Sequence, residues 1–255
     1  MNQAFAYIYD DFVSQRRYER DLARMETELA TRGISGYVAR LAMFRQSREI
    51  VSNLARGGVK NVVLVGNDAT LAQAISFLPD LDVTVGYIPL GPPTVFANLL
   101  GIPVGIAAVE TLAGRLVEVL DVGKCDQQYF FTEMVIPSTT AQLEVEGAYR
   151  VHPIENGAIA IRNTGIQVEN GKVCANPKDG LLEAVIQTAP GEKKKKNFWA
   201  KKGLSETQIK FRNGRILSDK PIEVFLDGRP VRGQVFEISI VPKKLHMIMG
   251  RNRKI

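Results

Sequence analysis

The first 122 residues alternate short apolar runs with segments whose apolar residues recur every three or four positions. The short runs AFAYIY, GYVARL, NVVLVG and DVTVGYIPLG predict strands, and the longer period predicts helices. The clearest helical face comprises Tyr18, Leu22, Met25 and Leu29. Gly33 follows this face and is a natural helix stop. The regular alternation predicts a parallel sheet covered by helices, with ligand sites at the carboxyl ends of its strands.

After residue 122 the period changes, and apolar residues alternate with polar ones in runs such as QLEVEGAYRV, GAIAIR and FEISIV. Four dipeptides that suit tight hairpin turns occur in this half: Asn156-Gly157, Asn170-Gly171, Asn213-Gly214 and Asp227-Gly228. The predicted fold class is therefore α/β plus β. An N-terminal three-layer domain with a parallel sheet spans residues 1–122, and a C-terminal antiparallel β-sandwich spans residues 123–255.

Composition is that of a globular protein, with 45% hydrophobic residues in a chain of 255. We find no apolar run that approaches the ~20 residues needed to span a bilayer, and the first residues lack the features of a signal peptide. We therefore expect no transmembrane segment and a cytoplasmic protein, with peripheral contact at the inner membrane face left open. Cys125 and Cys174 lie far apart and predict neither a zinc site nor a disulfide framework.

The net charge of +6 is concentrated in the second half. Residues 1–122 carry 11 Lys and Arg against 13 Asp and Glu, whereas residues 123–255 carry 22 against 14. The densest basic segment, EKKKKNFWAKK, contains Lys193, Lys194, Lys195, Lys196 and Trp199. Lysines beside an interfacial aromatic residue could bind an anionic lipid surface, and a solvated loop explains the segment equally well. Nucleic acid is a weaker alternative, because no nucleic-acid-binding fold is recognised.

The segment VVLVGNDATL, which begins at Val62, delivers a carboxylate and small residues to the end of an apolar strand. Three further segments follow in order: IPLGPPTVFANLLGIP, NPKDGLLEAVI and VFLDGRPVRGQVFEISIVPKKLHMIM. Together the four resemble the diacylglycerol kinase catalytic-domain family, the bacterial lipid kinases related to sphingosine kinase and NAD kinase. The resemblance spans nearly the whole chain. It implies ATP-dependent phosphorylation of a lipid hydroxyl with Mg²⁺, and it makes the first domain nucleotide-binding and the second the lipid side.

The resemblance assigns nucleotide binding to two loops, in both of which this chain departs from the family. The nucleotide-binding positions are Gly66, Asn67, Asp68, Ala69, Thr70 and Gly91. Asn67 and Ala69 replace two glycines of the family's GGDGT motif, and residues 91–95 (GPPTV) replace GTGND. Proline there removes backbone donors that could hold phosphate. Asp10 and Asp11 stand where the family carries a phosphate loop, and whether Arg16 and Arg17 compensate is left open.

The resemblance also implies catalytic and metal-binding residues. Asp227 would accept the hydroxyl proton, although Arg229 replaces the family's neighbouring Glu, and Asp68 would join the metal and phosphate network. Magnesium would be held by Asn176, Asp179 and the carbonyl of Leu181, oxygen ligands of the kind that it prefers. Considered alone, Asp179-Gly180 and Asp227-Gly228 are turn dipeptides first and ligands second.

Two hypotheses therefore remain open. The first is a diacylglycerol kinase-type lipid kinase with degenerate phosphate-binding motifs. The second is a catalytically inactive homologue that acts as a nucleotide- or lipid-binding module. The acceptor lipid and the oligomeric state are also open, with a homodimer among the options.

Overall fold

The structure, a computed structural model, describes residues 5–41, 47–138, 140–153, 158–165, 175–188 and 205–255. The chain divides into two compact units. The first comprises Met1–Leu120 together with Lys243–Ile255, and the second comprises Asp121–Pro242. The sequence analysis placed every residue after 122 in the second unit, whereas Lys243–Ile255 belongs to the first.

The first unit contains parallel strands in the order β2-β1-β3-β4. These strands are β1 Phe5–Asp10, β2 Tyr37–Leu41, β3 Asn61–Gly66 and β4 Thr84–Pro89. Every residue of β1 and β3 is buried, which explains why both occur in the sequence as continuous apolar runs. Beside β4 lies the end of a long strand, β14 (Arg229–Ile248), in which His246 and Met247 pair in parallel with Thr84 and Val85.

In the described part of the chain, five α-helices accompany this sheet: α1 Glu19–Thr31, α2 Ser47–Arg56, α3 Asp68–Ile75, α4 Val95–Leu100 and α5 Ala108–Gly114. With this strand order, the right-handed rule for β-α-β crossovers predicts α1 on one face of the sheet and α2 and α3 on the other. Helix α1 buries Leu22, Met25 and Leu29, which confirms three of the four residues predicted for this face, whereas Tyr18 lies in the preceding 3₁₀ helix and is half-buried. Short 3₁₀ helices occur at Asp11–Ser14, Arg16–Tyr18, Leu78–Asp80 and Gly105–Ala107.

One stretch of the first unit corrects the expectation that no apolar run approaches a membrane-spanning length. Val95–Gly114 is long and apolar enough to cross a membrane by length and composition alone, with a mean hydropathy of 1.7. Within the structure this stretch contains α4, a 3₁₀ turn and α5, and 44% of its most apolar window is buried. Its hydrophobicity therefore serves at least partly to pack the helices of the first unit.

The second unit is built from antiparallel strands. Besides most of β14, the strands are β5 Val117–Cys125, β6 Gln128–Phe130, β7 Glu133–Ile136, β8 Gln142–Val145, β9 Tyr149–Val151, β10 Ala158–Arg162, β11 Leu182–Thr188, β12 Ser205–Phe211 and β13 Asn213–Leu226. Their alternating residues form one apolar cluster that includes Phe130, Ile161, Ile216 and Phe236. The predicted fold class, a parallel-sheet α/β domain followed by an antiparallel β domain, is confirmed.

The predicted hairpin turns have different outcomes. Asp227-Gly228 connects β13 to β14, with φ of 47° and 80° and Leu226 paired to Arg229, so this prediction is confirmed. Asn213-Gly214 is not a turn, because Gly214 lies within β13 and pairs with residues of β8 and β14. A Cβ on Gly214 would lie 3.0 Å from the carbonyl oxygen of Glu144, so this glycine serves close packing inside a strand. Asn156-Gly157 and Asn170-Gly171 lie outside the described residues.

Because residues 243–255 belong to the first unit, we expect that one methyl group added at Gly250 strongly lowers the stability of the protein. A Cβ on Gly250 would lie 1.7 Å from the carbonyl oxygen of Gly101, a backbone atom that cannot turn aside. We expect Gly250→Ala to lower the free energy of unfolding by at least about 2 kcal/mol, because overpacking against backbone forces the segment to move. Denaturant unfolding followed by circular dichroism measures this change.

Gly114→Ala is the matched control, since a Cβ at that helix-terminal position meets nothing within 4 Å. Equal stabilities of the Gly250→Ala and Gly114→Ala variants would contradict the close approach of Gly250 to the Gly101 carbonyl.

Candidate functional site

Asn67 closes the N-terminus of helix α3 with its own side chain. Its Oδ1 accepts hydrogen bonds from the amides of Ala69, at 3.1 Å, and Thr70, at 3.2 Å. In return the Thr70 hydroxyl accepts the Asn67 amide at 3.1 Å, which completes a capping box. A Cβ on Gly66 would lie 2.3 Å from the Thr70 Oγ1, so a glycine is needed immediately before this cap. The amides of Ala69 and Thr70 at the start of α3 are thus already bonded within the chain.

Asp10, at the end of β1, ties that strand to the same cap. The Thr70 hydroxyl donates to the Asp10 Oδ2 at 2.6 Å, and the Asp10 Oδ1 accepts the amide of Phe12 at 3.4 Å. Asp10 is buried. A carboxylate therefore stands at the end of β1 beside the start of α3.

Asp68 caps a second helix. Its carboxylate accepts the amide of Val95 at 2.5 Å and that of Phe96 at 3.2 Å, both in the first turn of α4. The Tyr87 hydroxyl donates to the same carboxylate at 3.4 Å. Burial raises the pKa of Asp68, and the three donors oppose this rise because they favour the charged form. Asp68 thus joins the start of α3 to the start of α4.

Two hydrogen bonds to backbone carbonyls hold the 91–96 loop against the same turn. The Asp68 amide donates to the carbonyl of Pro93 at 3.1 Å, and the Asn67 Nδ2 donates to that of Pro92 at 3.1 Å. Gly91 has φ of 78°, and a Cβ there would lie 2.6 Å from the Tyr18 hydroxyl. The structure therefore places five of the predicted nucleotide-binding positions, residues 66–70, in one turn, and the loop that follows Gly91 is held against this turn through the carbonyls of Pro92 and Pro93.

This arrangement does not fit the phosphates of ATP. Oriented amides are the groups that hold phosphate at the start of a helix. Here the amides of Ala69, Thr70, Val95 and Phe96 are bonded to side-chain oxygens of Asn67 and Asp68, and prolines 92 and 93 have none. Arg16 and Arg17 are exposed, and the Arg17 guanidinium lies 4.7 Å from the Tyr18 ring centroid. A phosphate would have to displace a carboxylate of its own charge from the α4 amides.

In the second unit, the Asp227 carboxylate organises the hairpin between β13 and β14. It accepts the amides of Phe131, Thr132 and Glu133 at 2.7, 2.8 and 3.1 Å. The Thr132 hydroxyl is a fourth donor, at 2.5 Å. Three of these donors reach the Oδ1, and the Phe131 amide alone reaches the Oδ2, so the Oδ2 keeps one of the carboxylate's four acceptor positions. Burial raises the pKa of Asp227, which the four donors oppose. A substrate hydroxyl would have to approach the Oδ2, because the other three donors occupy the Oδ1.

Arg229, which stands in place of the family's Glu, holds β6 rather than a ligand. Its guanidinium donates to the Gln128 Oε1 at 2.9 Å and to the Tyr129 carbonyl at 3.0 Å. Burial lowers the pKa of Arg229, and the charge of Asp227 opposes this shift.

The predicted magnesium ligands lie in a turn that is bonded internally. The Asn176 Oδ1 accepts the Lys178 amide at 3.1 Å, and the Asp179 Oδ1 accepts the Leu181 amide at 3.0 Å. The sequence analysis missed two residues that hold this turn. The Asp121 carboxylate accepts the Gly180 amide at 2.8 Å, and the Lys210 ammonium donates to the Asp179 Oδ2 at 3.1 Å. Neither contact has a signal in the sequence, because each joins residues far apart in the chain.

The basic residues Lys193, Lys194, Lys195, Lys196 and Trp199 lie outside the described residues. Within the described part of the second unit, Lys and Arg number 10 and Asp and Glu number 12. The positive excess of the second half therefore lies in the segments that the structure leaves undescribed and in residues 243–255, which belong to the first unit.

The fold places the chain among two-domain proteins with the architecture of diacylglycerol kinases. One structure of a diacylglycerol kinase from Bacillus anthracis str. Sterne has a TM-score of 0.78 and 17% identity, covering 98% of this chain and 97% of that one. A putative diacylglycerol kinase from the same strain gives 0.79 and 16%, covering 98% of both chains. Residues 5–125 match the model of the diacylglycerol kinase catalytic domain. No curated protein matches it.

The capping role of Asn67 predicts a measurable loss of stability on substitution. We expect Asn67→Ala to lower the free energy of unfolding by about 1 kcal/mol, because the amides of Ala69 and Thr70 lose their acceptor. Asn98→Ala, at an exposed position inside α4, is the control and should change stability by less than about 0.5 kcal/mol. Urea unfolding of both variants tests this, and equal effects would argue against the cap.

Proposed function

We propose that this chain is a diacylglycerol kinase-family protein that does not transfer phosphate and acts as a binding module at an anionic lipid surface. One observation supports the proposed absence of phosphoryl transfer: the amides at the starts of α3 and α4 donate hydrogen bonds to the side chains of Asn67 and Asp68. These are the residues that the family resemblance assigns to the nucleotide.

The hydrogen bonds from the helix-start amides to Asn67 and Asp68 stabilise the arrangement without a nucleotide, which we call the closed arrangement. Hydrogen bonds to a charged group contribute about 1.5–3 kcal/mol each, and Asp68 accepts two from backbone amides. If a ligand displaced Asp68, a buried carboxylate would lose these donors and would face the ligand's negative charge. The closed arrangement is therefore the state that a nucleotide would have to disrupt.

The lipid-surface part of the proposal rests on the basic segment 193–202. Its six lysines flank Phe198 and Trp199. Basic residues near an anionic bilayer contribute about 1 kcal/mol each, and tryptophan favours the interface. A protein that binds in this way acts at the inner face of a membrane without spanning it.

The second candidate is an active lipid kinase, which the match of residues 5–125 to the catalytic domain favours. The chain also retains Asp68 and Asp227. Activity would require Asp68 to release the α4 amides and a lipid hydroxyl to reach the Asp227 Oδ2, which accepts one hydrogen bond, from the Phe131 amide.

A transfer assay separates the two candidates. Purified protein incubated with labelled ATP, Mg²⁺ and mixed lipid vesicles should yield no labelled lipid, and ATP should not raise the melting temperature, since a ligand of the native state would raise it. Labelled lipid made by the wild type and by Asp82→Ala, whose exposed carboxylate pairs only with Lys60 among the described residues, but not by Asp68→Ala, would establish the kinase instead. Stabilisation by ATP without transfer would indicate a nucleotide-binding module.

Vesicle pelleting tests the lipid surface separately. Replacing Lys193, Lys194, Lys195 and Lys196 by Gln should weaken binding to anionic vesicles by up to about a thousandfold, and added salt should weaken wild-type binding. The control replaces four exposed lysines elsewhere by Gln, namely Lys60, Lys220, Lys244 and Lys254. If both sets weaken binding equally, or if salt has no effect, the basic segment is not the lipid-binding element.

A further inference from the structure

Four charged residues of alternating sign lie side by side across four strands of the second unit. In the pairing register, Glu133 of β7 is opposite Arg162 of β10, Arg162 is opposite Glu183 of β11, and Glu183 is opposite Lys210 of β12. Arg162 and Glu133 form an ion pair at 3.3 Å, and Lys210 and Glu183 form another at 3.1 Å. Opposite charges directly across a strand pair attract each other, so the register itself places a cation beside Glu183.

Glu183 is the buried member of this row. Its side chain is only 6% exposed, and its Oε2 has no hydrogen-bond partner among the described residues. A buried carboxylate needs a nearby positive charge to remain ionised at low cost. Arg162 is engaged with Glu133, and the Lys210 ammonium is the cation paired with Glu183.

The same ammonium also reaches the turn that contains the predicted magnesium ligands. The Lys210 Nζ lies 3.1 Å from the Asp179 Oδ2 as well as 3.1 Å from the Glu183 Oε1. One positive charge thus joins the turn to β11 while Lys210 itself remains 54% exposed. The ammonium of a lysine is a compact point charge with three donors, which suits contact with two carboxylates at once.

The predicted magnesium ligands do not fit a divalent ion in this arrangement. Asp179 is the one charged residue of the three, since Asn176 is neutral and Leu181 would offer only a carbonyl oxygen. Magnesium requires near-octahedral oxygen ligands at close range. A divalent ion bound to Asp179 would also lie near the Lys210 ammonium and be repelled by it.

Residues 176–181, Glu183 and Lys210 together form one corner of the second unit. We propose that the Lys210 ammonium is the resident cation of this corner, and that it takes the electrostatic role that the family resemblance assigns to magnesium. In the wild type the corner holds together without a divalent ion. This inference does not depend on whether the chain transfers phosphate.

The test compares melting temperatures in EDTA and in millimolar Mg²⁺ at matched ionic strength. The wild type and Lys210→Arg should melt at the same temperature in both solutions, because both retain the cation. Lys210→Met, which keeps the apolar stem, should melt several degrees lower in EDTA and should partly recover in Mg²⁺. Lys220→Met, at an exposed position of β13, is the control and should behave as the wild type does.

A second variant keeps the proposal testable if Lys210→Met does not fold. Adding Glu183→Gln removes the buried charge, so the double variant Glu183→Gln/Lys210→Met should be more stable than Lys210→Met and should not respond to Mg²⁺. Three results would overturn the proposal: wild-type protein that loses stability in EDTA, Lys210→Met that matches Lys220→Met, or a Lys210→Met loss that Mg²⁺ does not reduce.

Discussion

The carboxylate of Asp68 is the group on which the edge of the first unit at the carboxyl ends of β3 and β4 depends. It stands at the first turn of α3 and accepts two amides from the first turn of α4, so it fixes the distance between the two helix starts. Asn67 and Asp10 act on the same turn, through the amides of α3 and the hydroxyl of Thr70. Because helix starts carry unpaired amides, something must satisfy them, and in this chain side chains do so.

The second unit follows the same rule with different residues. Asp227 satisfies the amides of Phe131, Thr132 and Glu133, and Lys210 neutralises Glu183 and Asp179. In both units, the groups that resemble the working parts of a kinase make structural bonds inside the chain. The family fold is thus retained while its polar residues stabilise the protein itself, which is the physical basis for proposing a binding role.

The sequence predicts the fold well because apolar periodicity reports burial directly. The continuous runs of β1 and β3, the buried face of α1 and the Asp227-Gly228 hairpin all follow from local patterns. Asn67 also carries a usable signal, since Asn is one of the residues favoured at a helix N-cap. The Lys210 contacts had none, because they depend on which residues the register of β11 and β12 places opposite each other. The prediction of a turn at Gly214 is wrong because the sequence alone does not distinguish a glycine required by a turn from a glycine required by close packing inside a strand.

The length of β14 has a consequence for how the protein is made. This strand runs from Arg229 to Ile248, and its last residues pair with β4 of the first unit. The first unit therefore cannot be complete when Met1–Leu120 has been translated, because Lys243–Ile255 is synthesised more than 100 residues later. Contacts so distant in sequence slow folding, because a long loop must close before they form. On the ribosome, the edge of β4 that faces β14 stays unpaired until the second unit has been synthesised.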